Sequence, residues 1–417
     1  MENNFSDIDN ISYLKKLRYL FSQSNNLSEI TFVMGNNTCD LDSAICSYLL
    51  SLALNIEEKT IIIEKDQNPK LNMNTKKLFL PVLNIKRGTL PYHIDVKYVF
   101  DKYNIDDNDF WYISDDYLAQ EKLFQYPNNI NSNNIISNII LVDHNLLINE
   151  LQYLSNYVIS IYDHHINAIN NNYPNLKSIN IQLPIGSCST IILSKFFMNN
   201  FCSKIINPLF ALTALLIDCR NFSKDYYGNR WVDLDKEVFN KIKSEIKENI
   251  NMDIYYKEIS EVKSDVEKNL MFGFEVLLKK VQKYYNFNGY DIIWSQFYIS
   301  FYDIQKKIGD EEIIDNILKI YKNKNEIKKI FFVTNSPIDK DKVLYTIFHP
   351  IEIPVEFTEL KSEIENNNKD FFYSMEKKVY RDSNDNIKGI MYFFVVNHYY
   401  TRKQVEPILK KICSKLK

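Results

Sequence analysis

The stretch "EITFVMGNNTCDLDSAICSYLL", residues 29–50, decides the fold. Glu29–Met34 is an apolar run of strand length, "GNNTCD" is a turn, and "LDSAICSYLL" continues as a helix. A continuous rather than alternating apolar run suits a strand covered on both faces, the opening of a parallel α/β sheet. Asp40 and Asp42 stand two apart at this strand-to-helix turn, with Ser43 behind them. Two carboxylates so close repel each other unless a positive charge lies between them. Asp42-Ser43 also has the chemistry of a plain helix cap.

Outward from this stretch the pattern repeats. Ile11–Gln23 has apolar residues at helical spacing and precedes the strand as an amphipathic helix. "TIIIEK" reads as a second strand, and "FLPVLNI" (Phe79–Ile85) and "FWYISDD" (Phe110–Asp116) as further short ones. "NIILVDHN" and "YVISIYDHH" are apolar runs that end in charged clusters. "GSCSTIILSKFFMNNF" opens on a Gly-Ser turn and continues as a helix, and "LFALTALLIDCRNFS" is a long apolar helix ending in an acid. Strands alternating with helices predict an α/β fold with a mostly parallel sheet. In such a sheet ligands bind beyond the carboxyl ends of the strands, where Asp40, Asp42, Asp143 and Asp163 would sit.

The stretch from Asp233 to about Lys257 turns charged and helical, and the domain junction is expected there. The expected organisation is a metal-binding domain over 1–240, a linker over 241–260, and a smaller α/β domain over 261–417 with strands at "GYDIIWSQFYIS", "IKKIFFVT" and "IKGIMYFFVVN". The Asn-rich "YPNNINSNNIISN" and "ENNNKD" read as surface loops.

Composition narrows the function. The 417 residues are 45% hydrophobic with a net charge of −3, which suits a globular chain with a sizeable core and argues against a polycation that coats nucleic acid. The six cysteines form no paired C-x-x-C zinc cage and no secreted disulfide framework. The polar N-terminus has no signal-peptide core, and no run of eighteen apolar residues occurs. The expectation is a cytoplasmic monomer without membrane or nucleic-acid partners.

The chemistry-bearing residues fall in four clusters: Asp40 with Asp42, Asp143 with His144, Asp163 with His164 and His165, and Asp218. Singly, each also reads as a cap or a turn. At corresponding ends of one sheet they would converge on one crevice. Carboxylates suit hard divalent cations, and imidazole extends the choice to Mn²⁺ or Co²⁺. One carboxylate can bridge two metals ~3.5–4 Å apart, a pair that activates water and clamps phosphoryl oxygens.

The ordered motifs "GNNTCDLDS", "LVDHN", "YDHH", "GSCST" and "LLIDCRNFS" resemble the DHH phosphoesterase superfamily, and "TRKQVEP" (Thr401–Pro407) resembles the basic motif of its DHHA2-type second domain. Asn rather than His in "GN", together with "GSCST" and "PVLNI", is similar to the cytosolic exopolyphosphatases, with prune-type phosphoesterases as close relatives. The resemblance implies an active site in the cleft between two domains and two divalent ions, Mg²⁺ or Mn²⁺, with Co²⁺ as a further candidate. It implies that Asp40 and Asp42 ligate one metal each, that Asp143 bridges them, and that His164 and Asp218 complete the set. His165 would face the substrate phosphate, His144 would lie near it, and Asp163 would orient the histidines. Arg402 and Lys403, expected just before a C-terminal helix, and more loosely Lys283, would grip phosphate oxygens. Lys283 also reads as a solvated lysine on a helix.

Asn36 departs from the pyrophosphatase pattern, which has a histidine ligand there. An asparagine offers an amide oxygen to metal or water, tilting the site toward Mg²⁺, or it only shapes the turn. In "NIKRGTLPYH" Lys86 and Arg87 come early and a later Arg is absent, which bears on substrate preference. Ser187 and Ser189 read either as holders of an anion or as a helix cap, and Cys188 and Cys219 as buried apolar residues. The function implied is release of orthophosphate from the end of linear polyphosphate. The rivals are a prune-like enzyme taking short-chain polyphosphate or cyclic nucleotides, an inorganic pyrophosphatase, and a non-catalytic scaffold on the same fold.

Overall fold

The computed structural model describes residues 13–23, 27–63, 70–115, 136–166, 169, 172–198, 206–280, 282–322, 330–338, 342–349, 362, 372–397 and 402–415. The chain divides into two compact units, Met1–Val262 and Lys263–Lys417.

The first unit is built on a six-stranded sheet. Its strands are β1 (Glu29–Met34), β4 (Lys77–Leu83), β5 (Trp111–Tyr112), β6 (Ile136–Val142), β7 (Val158–Asp163) and β8 (Ser178–Ile181), and all its pairings are parallel. "TIIIEK" forms only a two-residue strand, β2 (Ile61–Ile62), which pairs with β3 (Lys70–Leu71) in a separate ribbon. The spatial order β5-β4-β1-β6-β7-β8 is that of a doubly wound sheet. The chain therefore reverses its direction of travel between β1 and β6, and the ends of these two neighbours open the crevice where such sheets bind ligands.

Helix α1 (Tyr13–Gln23) buries Tyr13, Leu14, Leu17, Leu20 and Phe21. Helix α2 (Leu41–Glu57) is buried nearly all round, as the apolar "SAICSYLLSLAL" requires. Helix α4 (Cys188–Ile192) widens into a π turn over Leu193–Phe197, and α5 (Pro208–Asp218) is capped by Asn207 with Pro208 at its first position. Helices α3 (Ile94–Lys102), α6 (Asp233–Lys243) and α7 (Met252–Lys263) complete the unit. Residues 241–260, expected as a linker, belong to its fold: Met252, Tyr255 and Ile259 of α7 are buried in the same core as β1 and α2. Apart from the buried Asp235, the charged residues of α6 and α7 lie toward their outer faces, while their apolar stripes face inward.

The second unit is also α/β. Helices α8 (Val266–Leu270) and α9 (Phe274–Lys280) lead into β9 (Gln282–Phe287) and β10 (Tyr290–Gln296). Then follow α10 (Phe301–Lys322, broken at Gly309), β11 (Ile330–Pro337), β12 (Lys342–His349), β13 (Phe372–Arg381), β14 (Ile387–Asn397) and a helix over Arg402–Lys415. Its six-stranded sheet, ordered β13-β14-β12-β11-β10-β9, is mixed, with β10 and β11 parallel and the other pairs antiparallel. One face is covered by the C-terminal helix through Val405, Leu409 and Ile412, the other by α9 and α10 through Leu278, Ile304 and Ile317.

Candidate metal centre at the sheet switch point

Gly35 ends β1, and its place next to α2 is forced: a Cβ there would lie 2.3 Å from Ser43 Oγ. The freed space lets Ser43 Oγ accept from Asn36 N at 2.6 Å. Asn36 then works in two directions. Its Oδ1 accepts from Thr38 N (2.9 Å), Thr38 Oγ1 (2.6 Å) and Cys39 N (3.2 Å), which shapes the turn. Its Nδ2 donates to Asp143 Oδ2 at 2.7 Å. The expected offer of an amide oxygen to metal or water does not fit this arrangement, because three donors in the turn already occupy that oxygen.

Asp40 caps α2, accepting from Ser43 N at 3.0 Å, so the cap is Asp40 and not Asp42-Ser43. Asp42 lies in the first turn of α2, 3% exposed. Its Oδ1 accepts from Ser187 Oγ (2.7 Å), Ser189 Oγ (2.9 Å), Ser189 N (3.0 Å) and Cys46 Sγ (3.3 Å), and its Oδ2 from Cys188 N (2.6 Å). The anion held by "GSCST" is thus the chain's own Asp42 carboxylate, and Ser187 caps α4 as well. Oδ1 is saturated, whereas Oδ2 also faces His164 Nε2 at 3.9 Å.

Asp143 follows β6 with φ +61°, in the left-handed region that aspartate and asparagine tolerate best among residues with a side chain. Its Oδ1 lies 3.3 Å from His164 Nε2 and 3.8 Å from His165 Nδ1. His164 and His165 follow β7, and Asp163 holds them both. Its Oδ1 accepts from His164 N (2.8 Å), His165 N (3.2 Å) and His165 Nδ1 (2.8 Å), and its Oδ2 from Asn145 Nδ2 (2.5 Å). Asp163 is fully buried and engaged, and it ties down Nδ1 of His165, whose side chain is 48% exposed. His164 Nδ1 donates to the Ile185 carbonyl at 3.3 Å, which aims Nε2 at Asp143 and Asp42. His144 donates from Nδ1 to Val142 O at 2.9 Å, so its Nε2 carries a lone pair. That atom is buried, without a partner among the described residues, and burial lowers the ring's pKa.

The charges show what the cluster lacks. Burial, with the repulsion of Asp40 and Asp42, pushes the Asp143 carboxyl well above the ordinary range. Burial alone would disfavour a charged His164. The bond to Asp143 and the charges of Asp143, Asp42 and Asp218 outweigh that and raise its pKa to about 10. The site draws in a positive charge, and His164 takes a proton into the position a cation would fill. Ligand atoms of Asp143, His164 and His165 lie within 4.8 Å of one another, a mixed oxygen and nitrogen set that fits a divalent ion. The residues therefore suit the metals the motifs implied, and metal would displace the His164 proton.

Asp218 ends α5, close enough for its charge to act on His164. Cys188 and Cys219 are fully buried, and burial raises both thiols, Cys188 to about 12. Arg87 is a structural staple: it bonds Asp115 twice at 2.7 Å, donates to the Asn108 and Phe110 carbonyls, and stacks 4.4 Å over Tyr112.

Lys283 lies half-buried on β9, a strand and not a helix, opposite Trp294. The C-terminal helix begins at Arg402, so Arg402 and Lys403 form its first turn rather than preceding it; their side chains lie outside the described residues. Sequence reasoning missed Asn145 and Asp235. The signal for Asp235 was its place in the first turn of "VDLDKEVF".

The profile of the DHH family, N-terminal domain, matches residues 30–217, which span β1 to α5. Residues 30–217 are a DHH-family domain. Relatives of this chain bear phosphohydrolase names. A Schizosaccharomyces pombe protein assigned as an exopolyphosphatase is 22% identical over 329 residues, 76% of this chain and 76% of its own length. Human exopolyphosphatase PRUNE1 is 26% identical over 212 residues, 50% of this chain, and the match spans only 40% of the human protein. The crystal structure of a Methanococcus jannaschii protein assigned as a family II inorganic pyrophosphatase superposes with a TM-score of 0.56 at 19% identity, over 92% of this chain and 99% of that one. The two-unit α/β architecture is shared with that structure.

Proposed function

We propose that the protein is a metal-dependent exopolyphosphatase that removes terminal orthophosphate from linear inorganic polyphosphate. The observation that carries the reading is the convergence of Asp42 Oδ2, Asp143 Oδ1 and His164 Nε2 at the switch point of a DHH domain, in surroundings that favour added positive charge. The names of the relatives support the choice of a phosphoric anhydride as substrate.

In this reading Asp40, Asp42, Asp143, His164 and Asp218 hold two divalent ions, Mg²⁺ or Mn²⁺. Such ions, when bound, lower the pKa of a water and neutralise phosphoryl oxygens. Asn36 fixes the Asp143 carboxylate through Nδ2. Asp163 anchors His165 Nδ1, so that Nε2 is presented to a terminal phosphate oxygen, with the lone pair of His144 nearby as an acceptor. The second unit is read as a DHHA2-type substrate domain, in which Arg402, Lys403 and Lys283 neutralise charge along the polyphosphate chain.

The test is orthophosphate release by the full chain from long-chain polyphosphate, tripolyphosphate and pyrophosphate, and AMP formation from cyclic AMP, each with Mg²⁺ and with Mn²⁺. Asp143→Asn is the control. Release from polyphosphate that is lost in Asp143→Asn is the expected outcome. Preferred turnover of pyrophosphate, or of tripolyphosphate and cyclic AMP, would move the assignment to a pyrophosphatase or a prune-like enzyme. Turnover of none by folded, metal-loaded protein would overturn it in favour of a scaffold.

A further inference from the structure

Asp235 lies on α6, 72 residues beyond the DHH triplet that begins at Asp163, and is fully buried. Both of its oxygens accept from Gly186 N, at 3.1 and 3.0 Å; Oδ1 also accepts from Thr190 Oγ1, and Oδ2 from Val232 N at 2.8 Å. These contacts bracket the segment 187–189, which supplies four of the five donors on Asp42. The clamp also reaches His164. The peptide between residues 185 and 186 is planar, so its N–H and C=O point in opposite directions. The N–H goes to Asp235, and the C=O receives His164 Nδ1. The loop fits tightly there: a Cβ at Gly186 would lie 2.1 Å from the Arg230 carbonyl oxygen and 2.6 Å from Cys219 Sγ.

We infer that Asp235 is a positioning residue of the metal centre: through the Ile185–Gly186 peptide and the donors at 187–189 it sets the aim of His164 Nε2 and of Asp42 Oδ2 together. The inference rests on the proposed metal centre. It assigns to α6, outside the matched DHH domain, a part in holding metal. A carboxylate is suited to this task because all of its partners are donors. An asparagine in its place would turn an N–H₂ group toward at least one of them and release one end of the clamp.

The test is Mn²⁺ binding to the metal-free full chain, read from the free-ion electron paramagnetic resonance signal, with folding followed by circular dichroism. Wild type, Asp235→Asn, Thr190→Val and Thr60→Val are compared. Thr60 makes buried hydrogen bonds elsewhere in the same unit, to Thr75 Oγ1 and the Lys77 carbonyl, and controls for general loss of stability. Asp235→Asn is expected to weaken Mn²⁺ binding about 10–100-fold, the usual effect of removing an outer partner of a metal ligand. Thr190→Val should weaken it less, and Thr60→Val should leave it within about twofold while melting earlier. Binding by Asp235→Asn within about twofold of wild type would overturn the inference and leave the metal centre standing. Should Asp235→Asn not fold, wild-type binding by Thr190→Val would overturn it equally. Absence of Mn²⁺ binding by wild type would overturn both readings.

Discussion

At Asp143 the backbone and the side chain make separate demands. The left-handed φ of +61° turns the carboxylate from the end of β6 toward His164, and the N–H of the same residue donates to Tyr162 O at 2.9 Å. Asparagine keeps the backbone preference and loses the charge, whereas alanine loses both and leaves Asn36 Nδ2 only the longer bond to the residue 143 carbonyl, 3.3 Å in the native chain. Asp143→Ala should be less stable than Asp143→Asn by about 1–2 kcal/mol, measured by urea denaturation without metal, and neither should hold Mn²⁺ as wild type does. Asp163 has a pH signature of its own. Burial opposes its ionisation, but the bonds from His165 and Asn145 outweigh burial and hold its pKa below the usual carboxylate value. A carboxyl depressed in the folded state adds stability above its unfolded pKa of about 3.9 and loses it as pH falls toward the lower folded value. Asp163→Asn should therefore be less stable than wild type at neutral pH, with the gap narrowing below about pH 4. A gap that stayed constant down to pH 3 in urea midpoints would count against this account.

Among the elements, α2 and β4 show how a short neighbour is compensated. Strand β5 has two residues and pairs with Val82 and Leu83, so farther back along β4 no strand among the described residues covers the outer edge. Asn55 of α2 takes that place: its Oδ1 accepts from Phe79 N at 3.1 Å and its Nδ2 donates to Phe79 O at 2.7 Å. Ser47 farther on bridges β4 to β1, accepting from Val82 N at 3.0 Å and donating to Val33 O at 2.8 Å. Asn55→Ala would leave both Phe79 backbone groups buried and unpaired. It should cost about 2–4 kcal/mol, seen as a lower urea midpoint at unchanged slope. The strand at "FLPVL" was legible as an apolar run, and so was the strand–turn–helix at 29–50. The true neighbour of β1 was not, because "TIIIEK" has an equally apolar core and nothing local says which run pairs with β1.

For the molecule as a whole, two units with separate cores make independent unfolding the expectation. Every residue of the proposed metal set lies in the first unit. In calorimetry, Mn²⁺ should raise one transition and leave the other in place. The shift corresponds to about 2.7 kcal/mol at a metal concentration 100 times the dissociation constant. Asp143→Asn should abolish it. A single transition that moves as one with metal would mean that the units unfold together.

The sequence by itself determined the α/β class, the parallel sheet of the first unit and the clusters that gather at its edge. Each of these follows from local rules: apolar runs of strand length, helical periodicity, and acids placed directly after a strand. Tertiary structure alone decided the rest. Asp42 turned out to be the anion that "GSCST" grips, the amide oxygen of Asn36 to be spent on its own turn, and Arg87 to be a staple on Asp115 and Tyr112. Residues 241–260 hold the end of α6, a connecting turn and most of the core-packed α7, and Asp235 bonds the loop that also receives His164. The physical reason is common to these cases. A carboxylate, an amide or a guanidinium can meet many partners, and the partner it takes is set by which distant segment the sheet order brings within about 3 Å, the reach of a hydrogen bond. That order is written in no single stretch of the chain.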